Sequence, residues 1–190
     1  VPTRRENWHD LLNALVWLSF PHAKAALNQL QCAVLPASQG GRRPPLADAA
    51  TLFDESGLLL LGADASLFDL LRRRQWHAAL WTRREDWRQA RAYVLGHAVL
   101  EKLLRPYPGI TAKCLALALP AGVPLPDAGA AVPEWLDRRL AQCWRDGLIQ
   151  RPADLFPLPV AGIPGWWPEN GQAGFYDRRD IFRPNSRHAK

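Results

Sequence analysis

No methionine occurs in the 190 residues, lysine is confined to Lys24, Lys102, Lys113 and Lys190, and cysteine to Cys32, Cys114 and Cys143. Three widely spaced cysteines without a Cys-x-x-Cys pair form neither a disulfide framework nor a zinc knuckle, and read as buried thiols. No run approaches the ~18 consecutive apolar residues of a membrane span, and no charged-then-apolar leader opens the chain, so a cytoplasmic protein with no membrane partner is expected. A chain that starts at Val1 and lacks methionine is expected to be preceded by a further N-terminal segment. His-Glu-x-x-His and the other strong metal signatures are missing as well.

What is present suffices for a real core. Hydrophobic residues make up 48% of the chain and include 9 tryptophans, so one domain over residues 1–190 can form without disulfides or metals. A net charge of +6 invites a nucleic-acid or acidic protein partner. The arginines, however, come in short scattered groups, Arg42-Arg43, Arg72-Arg73-Arg74, Arg83-Arg84, Arg138-Arg139 and Arg178-Arg179, without interleaved aromatics. Such groups read first as solvated helix faces.

The most informative stretch is residues 93–102, YVLGHAVLEK. Thr82-Arg83-Arg84-Glu85 has the capping-box pattern, which starts a helix near Arg83, and Pro106 requires it to stop before that residue. At about 100° per residue Trp87, Ala90, Val94, Ala98 and Glu101 share one side, with His97, Leu100 and Leu104 beside them. Leu95 and Val99 make the opposite side apolar too, so the spacing predicts a buried helix. His97 and Glu101 then stand at (i, i+4) in a low-dielectric setting, where a carboxylate needs a partner. The plain reading is a hydrogen-bonded pair that fixes core geometry. The functional reading is a ligand or catalytic pair.

Thr3-Arg4-Arg5-Glu6 repeats the capping-box pattern and predicts a helix over residues 4–18, Glu6 serving the cap. Trp8, Leu11, Leu12, Leu15 and Val16 form its apolar stripe. The opposite stripe carries His9, Asp10 and Asn13 and ends in Trp17, and helical spacing lets those three polar side chains converge. Either they bond to a neighbouring segment or they supply ligands and an acid–base pair. A second helix starts at Pro21, with Ala23, Ala26, Leu27, Leu30 and Val34 as its apolar face and His22 exposed. Residues 36–47 read as a loop. Residues 51–53 and 58–61 read as a β-hairpin around the polar turn Asp54-Glu55-Ser56-Gly57; turn chemistry explains Asp54 more readily than a site does. Ser66 is expected to cap a further helix, with His77 at the surface. Residues 110–119 read as a strand and 120–133 as a loop. A helix opens at Pro133-Glu134, runs through Trp144 and is ended by Gly147. Residues 155–184 are proline-rich yet too apolar for disorder, and read as an extended strap across the helices that could present Asn170, Tyr176 and Asp177 at a pocket rim.

Three stretches carry a resemblance: residues 6–17 (ENWHDLLNALVW), residues 96–104 (GHAVLEKLL) through 109–113 (GITAK), and residues 157–167 (PLPVAGIPGWW). Together they resemble the bacterial "domain of unknown function 3025" family over nearly the whole chain. The resemblance implies a shared fold and further chain ahead of the first motif, and it implies no activity.

These readings converge on a predominantly helical α+β domain with a small β-hairpin and a C-terminal strap over residues 155–190. His9, Asp10, Asn13, His97 and Glu101 are its candidate catalytic residues. In one version a divalent metal held by His97, Glu101 and His9 or Asp10 activates water for hydrolysis while Asn13 orients substrate. In the metal-free version a buried Glu101 carries the proton. The alternative is a non-enzymatic basic module for nucleic acid or an acidic protein.

Overall fold

The computed structural model describes residue 4, residues 6–34 and residues 44–185, with the Val34 side chain left out. Thr3 and Arg5 of the first capping-box pattern, Arg42-Arg43, the Val34 contribution to the second helix and residues 36–43 of the expected loop lie outside the described residues.

Helix α1 (Trp8–Ser19) starts later than the pattern suggested, because Asn7 caps it: the Asn7 side chain accepts from the Asp10 amide at 3.1 Å. Helix α2 (Pro21–Val34) does begin with its proline. Its free His22 and Ala23 amides donate to the buried Asp137 carboxylate at 2.8 and 2.9 Å, a cap supplied from a distant helix. Helix α3 (Pro45–Ser56) occupies the place of the expected hairpin's first strand and turn. Ala47, Ala50 and Phe53 are buried on it at helical spacing, and strand β1 (Gly57–Gly62) follows without a loop.

Helix α4 (Ala65–Arg72) is capped by Asp64, which accepts from the Ser66 amide at 2.8 Å, and not by Ser66 itself. The chain then passes through a π-helical stretch (His77–Thr82) and a 3-10 stretch (Arg84–Gln89) into strand β2 (Ala90–Val94) and helix α5 (His97–Leu103). The long helix expected from Arg83 is therefore several elements. An all-round apolar pattern fits a strand and a short helix in tandem as well as one buried helix, and Gly96 divides them. Strand β3 (Thr111–Ala118) forms as expected. Helix α6 (Glu134–Arg145) follows Pro133, and Gly147 stands just beyond it at φ 70°, a left-handed value glycine adopts without strain. Strand β4 is Phe156–Pro159.

The sheet order is β2-β1-β3-β4. Strand β1 is antiparallel to β2 and parallel to β3, while β4 closes the far edge antiparallel to β3. Pro157 and Pro159 have no amide protons to offer another strand from that edge. All of β1 is buried. Its alternation divides the core in two: Leu58 and Leu60 meet α4 and the strap through Phe68, Val160, Phe175 and Phe182. Leu59 and Leu61 meet the helices through Phe20, Leu27, Phe53, Leu140 and Trp144. Each such leucine is worth about 1.5–3 kcal/mol of burial. Asn170 and Tyr176 of the strap are buried in it, so neither sits at a pocket rim.

Helix α1 follows its hydrophobic pattern only in part: Val16 is buried and Leu12 half-buried. Trp8, Leu11, Leu15 and Leu18 are exposed, Leu18 by 79%, whereas the polar stripe faces inward. Cys114 is buried and burial raises its thiol pKa, but Cys32 is exposed, against expectation. Arg74, just past α4, holds φ 56° where the Arg74 and Gln75 amides close back on the Leu71 and Leu70 carbonyls. Glycine is the usual occupant of such a position, and a side chain there costs roughly 1–2 kcal/mol.

Candidate functional site

Four helices bring polar side chains to one place on the Leu59/Leu61 side of the sheet. Helix α1 supplies His9 and Asn13, a turn apart; α2 supplies Lys24, α3 Asp54, and α5 His97 and Glu101. Close contact of α5 with the α3–β1 junction depends on Gly96. The Leu95 and Gly96 amides both donate to the Gly57 carbonyl, at 3.0 and 2.8 Å. A Cβ on Gly96 would lie 2.5 Å from the Glu55 carbonyl oxygen and collide with the Gly57 nitrogen. Only glycine lets His97 follow directly beside Asp54.

Lys24 is 2% exposed, rare for an ammonium. It donates to Asn13 Oδ1 at 2.8 Å and to the Asp54 carboxylate, and lies 5.5 Å from the Trp17 ring centre. A charge this dry persists only with such partners. Trp17 thus ends the inward stripe as a wall of the cluster.

His97 is 5% exposed, and its Nδ1 finds no partner. Burial pushes its pKa below the ordinary histidine value; the Lys24 and His9 charges act the same way, against the Asp54 charge and a backbone hydrogen bond with Asp54. The ring is neutral at neutral pH. The His9 ring meets it edge-on, centres 4.4 Å apart. His9 Nδ1 lies 3.0 Å from Glu101 Oε2. An ionised carboxylate only accepts, so Nδ1 carries the proton, and in the neutral form of the ring Nε2 is the nitrogen with the lone pair. Both partners are partly open to solvent, His9 by 39% and Glu101 by 47% of the side chain.

His9, His97 and Glu101 are therefore gathered as the sequence suggested, with Asn13 joined through Lys24. Two expectations change. Glu101 bonds His9 and not His97, and it is half exposed, so the burial on which its proton-carrier role rested is absent. Asp10 belongs elsewhere: the Arg4 amide, Nε and the other guanidinium arm donate to its carboxylate at 2.7, 3.0 and 3.1 Å. Those Arg4 bonds hold the Asp10 pKa down at about 2. A 100° step around the helix separates Asp10 from His9, and that step sends the two side chains to different partners. Among the described residues no three His, Cys, Asp or Glu side chains are grouped to hold a metal ion. Asp10 is committed to Arg4, and the other expected set, His97, Glu101 and His9, does not form such a group either.

Lys24 is absent from the candidates that the sequence offers, and Asp54 stands among them with the turn reading preferred to the site reading. The signal for Lys24 was there: it is the sole lysine in the first hundred residues and sits inside Ala23-Lys24-Ala25-Ala26-Leu27. Asp54 was hidden by the hairpin assignment.

The family described as protein of unknown function (DUF3025) matches residues 1–186. The chain belongs to the DUF3025 family. No curated protein and no solved structure matches it. Family membership of DUF3025 carries the fold and leaves the chemistry to the residues. Among the described residues no helix is long and apolar enough to cross a membrane.

Proposed function

We propose that the His9–Glu101 pair, backed by His97, is a metal-free acid–base site for hydrolysis. The observation that carries this reading is the carboxylate-held imidazole of His9 edge-on to a buried neutral histidine whose Nδ1 is unpartnered. His9 Nε2 takes a proton as water forms its bond to an ester carbonyl carbon, and Glu101 holds the ring and stabilises the imidazolium. The imidazolium returns that proton to the departing alkoxide as the carbon–oxygen bond breaks. His97 serves as a fixed neutral hydrogen-bonding wall, and the Asn13–Lys24–Asp54 chain keeps the α1, α2 and α3 side chains in register behind it.

The test is hydrolysis of a panel of nitrophenyl esters by wild type, His9→Gln and Glu101→Gln, each checked for folding by circular dichroism. Loss of His9 is expected to lower kcat about 100-fold or more, the usual worth of a positioned base. A folded His9→Gln variant with the wild-type rate, or a wild type no faster than buffer across the panel, would remove the proposal.

A further inference from the structure

We propose that the cleft at the β4 edge, lined by Arg74, Lys113 and Arg183, binds a phosphate group of a small phosphorylated molecule. This site is independent of the His9–Glu101 reading, with no residue in common. The cleft holds about 400 Å³, room for a phosphate and a small organic moiety.

Its three cations come from separate parts of the chain: the turn after α4, strand β3 and the end of the strap. Many other basic groups in the molecule are neutralised at close range, such as Arg4 by Asp10, Arg83 by Asp64 and Asp86, and Arg138 by Glu134. Arg74, Lys113 and Arg183 make no ion pair among the described residues. The one carboxylate lining the cleft, Asp180, is held by Arg178 at 2.8 Å. The cleft is therefore net positive.

Arg74 supplies a second, independent observation. Its left-handed backbone favours glycine, so arginine is held there against local preference. Its bond to the protein is modest, one guanidinium nitrogen 3.4 Å from the Pro184 carbonyl, which leaves most of the donor fork unused. Strain at a non-glycine residue points to a role for the side chain. Two guanidinium forks and an ammonium around one cleft match tetrahedral oxyanions, since arginine binds phosphate through paired donors and lysine as a point charge. Pro157 and Pro159, also in the lining, leave no amide protons on that wall, so recognition falls to the side chains.

The experiment is calorimetric titration with inorganic pyrophosphate, plus thermal unfolding with and without it, at ionic strength fixed with sodium chloride. Wild type is expected to bind and to unfold at higher temperature when pyrophosphate is present. Lys113→Gln with Arg183→Gln is expected to weaken binding at least about tenfold. Arg74→Gly separates the two roles of that residue: relief of the left-handed strain raises the ligand-free Tm while affinity falls. Absence of binding by wild type, or equal affinity in the variants, overturns the site. An Arg74→Gly protein that unfolds earlier but binds as wild type does would mean the arginine serves the Pro184 carbonyl, and overturns it also. A single-stranded oligonucleotide is titrated in parallel. Failure to displace pyrophosphate supports a small-molecule ligand; displacement would move the phosphate source to a nucleic-acid strand and overturn the small-molecule assignment.

Discussion

Asn170, under the Leu58/Leu60 face of the sheet, uses its whole amide: Nδ2 donates to the Ala161 and Ile163 carbonyls at 2.9 and 2.7 Å, and Oδ1 accepts from the Gly165 amide at 3.3 Å. The Tyr176 hydroxyl beside it lies 3.2 Å from the Gly162 and Asn170 carbonyls, and burial pushes its pKa up to about 12. On the Leu59/Leu61 side the pattern reverses. His97 Nδ1, Tyr93 Oη and Trp144 Nε1 are the buried side-chain polar atoms without a partner among the described residues; His97 and Trp144 stand on helices, and Tyr93 on β2 packs against the helix layer. Lys24 is dry there too. The strap uses polar groups to pin loops that have no ladder of their own. The helix layer has such pins too, in Asp137 beneath α2 and in the Asn13–Lys24–Asp54 chain, so the polar atoms left unpartnered beside them stand out.

The largest effect that would break this contrast is at Lys24. Lys24→Met leaves Asp54 with an uncompensated charge in a mostly dry site, and is expected to cost about 3–5 kcal/mol in urea unfolding. Adding Asp54→Leu should recover most of that loss, because removing both charges removes both desolvation penalties. If Lys24→Met cost less than about 1 kcal/mol, the ammonium would be no drier than a surface lysine and the helix layer would lose its special standing.

Next in size is a matched pair. Asn170→Ala strands two carbonyls and an amide in the strap and should cost about 2–4 kcal/mol. His97→Leu removes an Nδ1 that had no partner together with one hydrogen bond to the Asp54 backbone, so it should cost less than Asn170→Ala, about 1–2 kcal/mol, while ester hydrolysis falls. Equal destabilisation at the two positions would make His97 another pin and dissolve the comparison.

The contrast was only half legible in the sequence. That residues 155–184 would pack could be anticipated because they are too apolar for disorder, but they run as β4 and short 3-10 turns against the Leu58/Leu60 face and not as an extended strap across the helices. Helices α2 and α6 and strand β3 carried their caps and periods openly. His9 and His97 were visible as polar residues in apolar contexts. Lys24 and Asp54 were not, since their meeting depends on α2 and α3 lying side by side, a long-range fact no local period encodes. Residues 51–56 show the same limit: Thr51-Leu52-Phe53 suits a strand, yet Phe53 belongs to a helical face defined by Ala47 and Ala50. The split of the α1 apolar stripe is tertiary as well, for nothing within the helix says that Val16 would be buried while Trp8, Leu11, Leu15 and Leu18 are left outside.

The smallest effect is also the most selective, because it reads the His97 environment through the solvent. Burial, helped by the Lys24 and His9 charges, lowers the folded pKa of His97 below its ordinary 6.5. Between that folded value and 6.5 the unfolded chain binds a proton that the native site refuses. The unfolded state then carries more bound protons, so stability must rise with pH through the window and fall as the solution is acidified. The His97 contribution to native stability is thus fully kept above pH 6.5 and lost as pH drops below it, levelling off once the native imidazole is itself protonated. Asp10 and Asp64, each held down at about 2, lose their contributions only below the usual carboxylate value of 3.8 and do not confuse the reading. Urea midpoints between pH 8 and pH 5 should therefore decline for wild type and decline less for His97→Leu; parallel curves for the two proteins would show that the histidine is solvated, and that the helix layer holds its polar groups no differently from the strap.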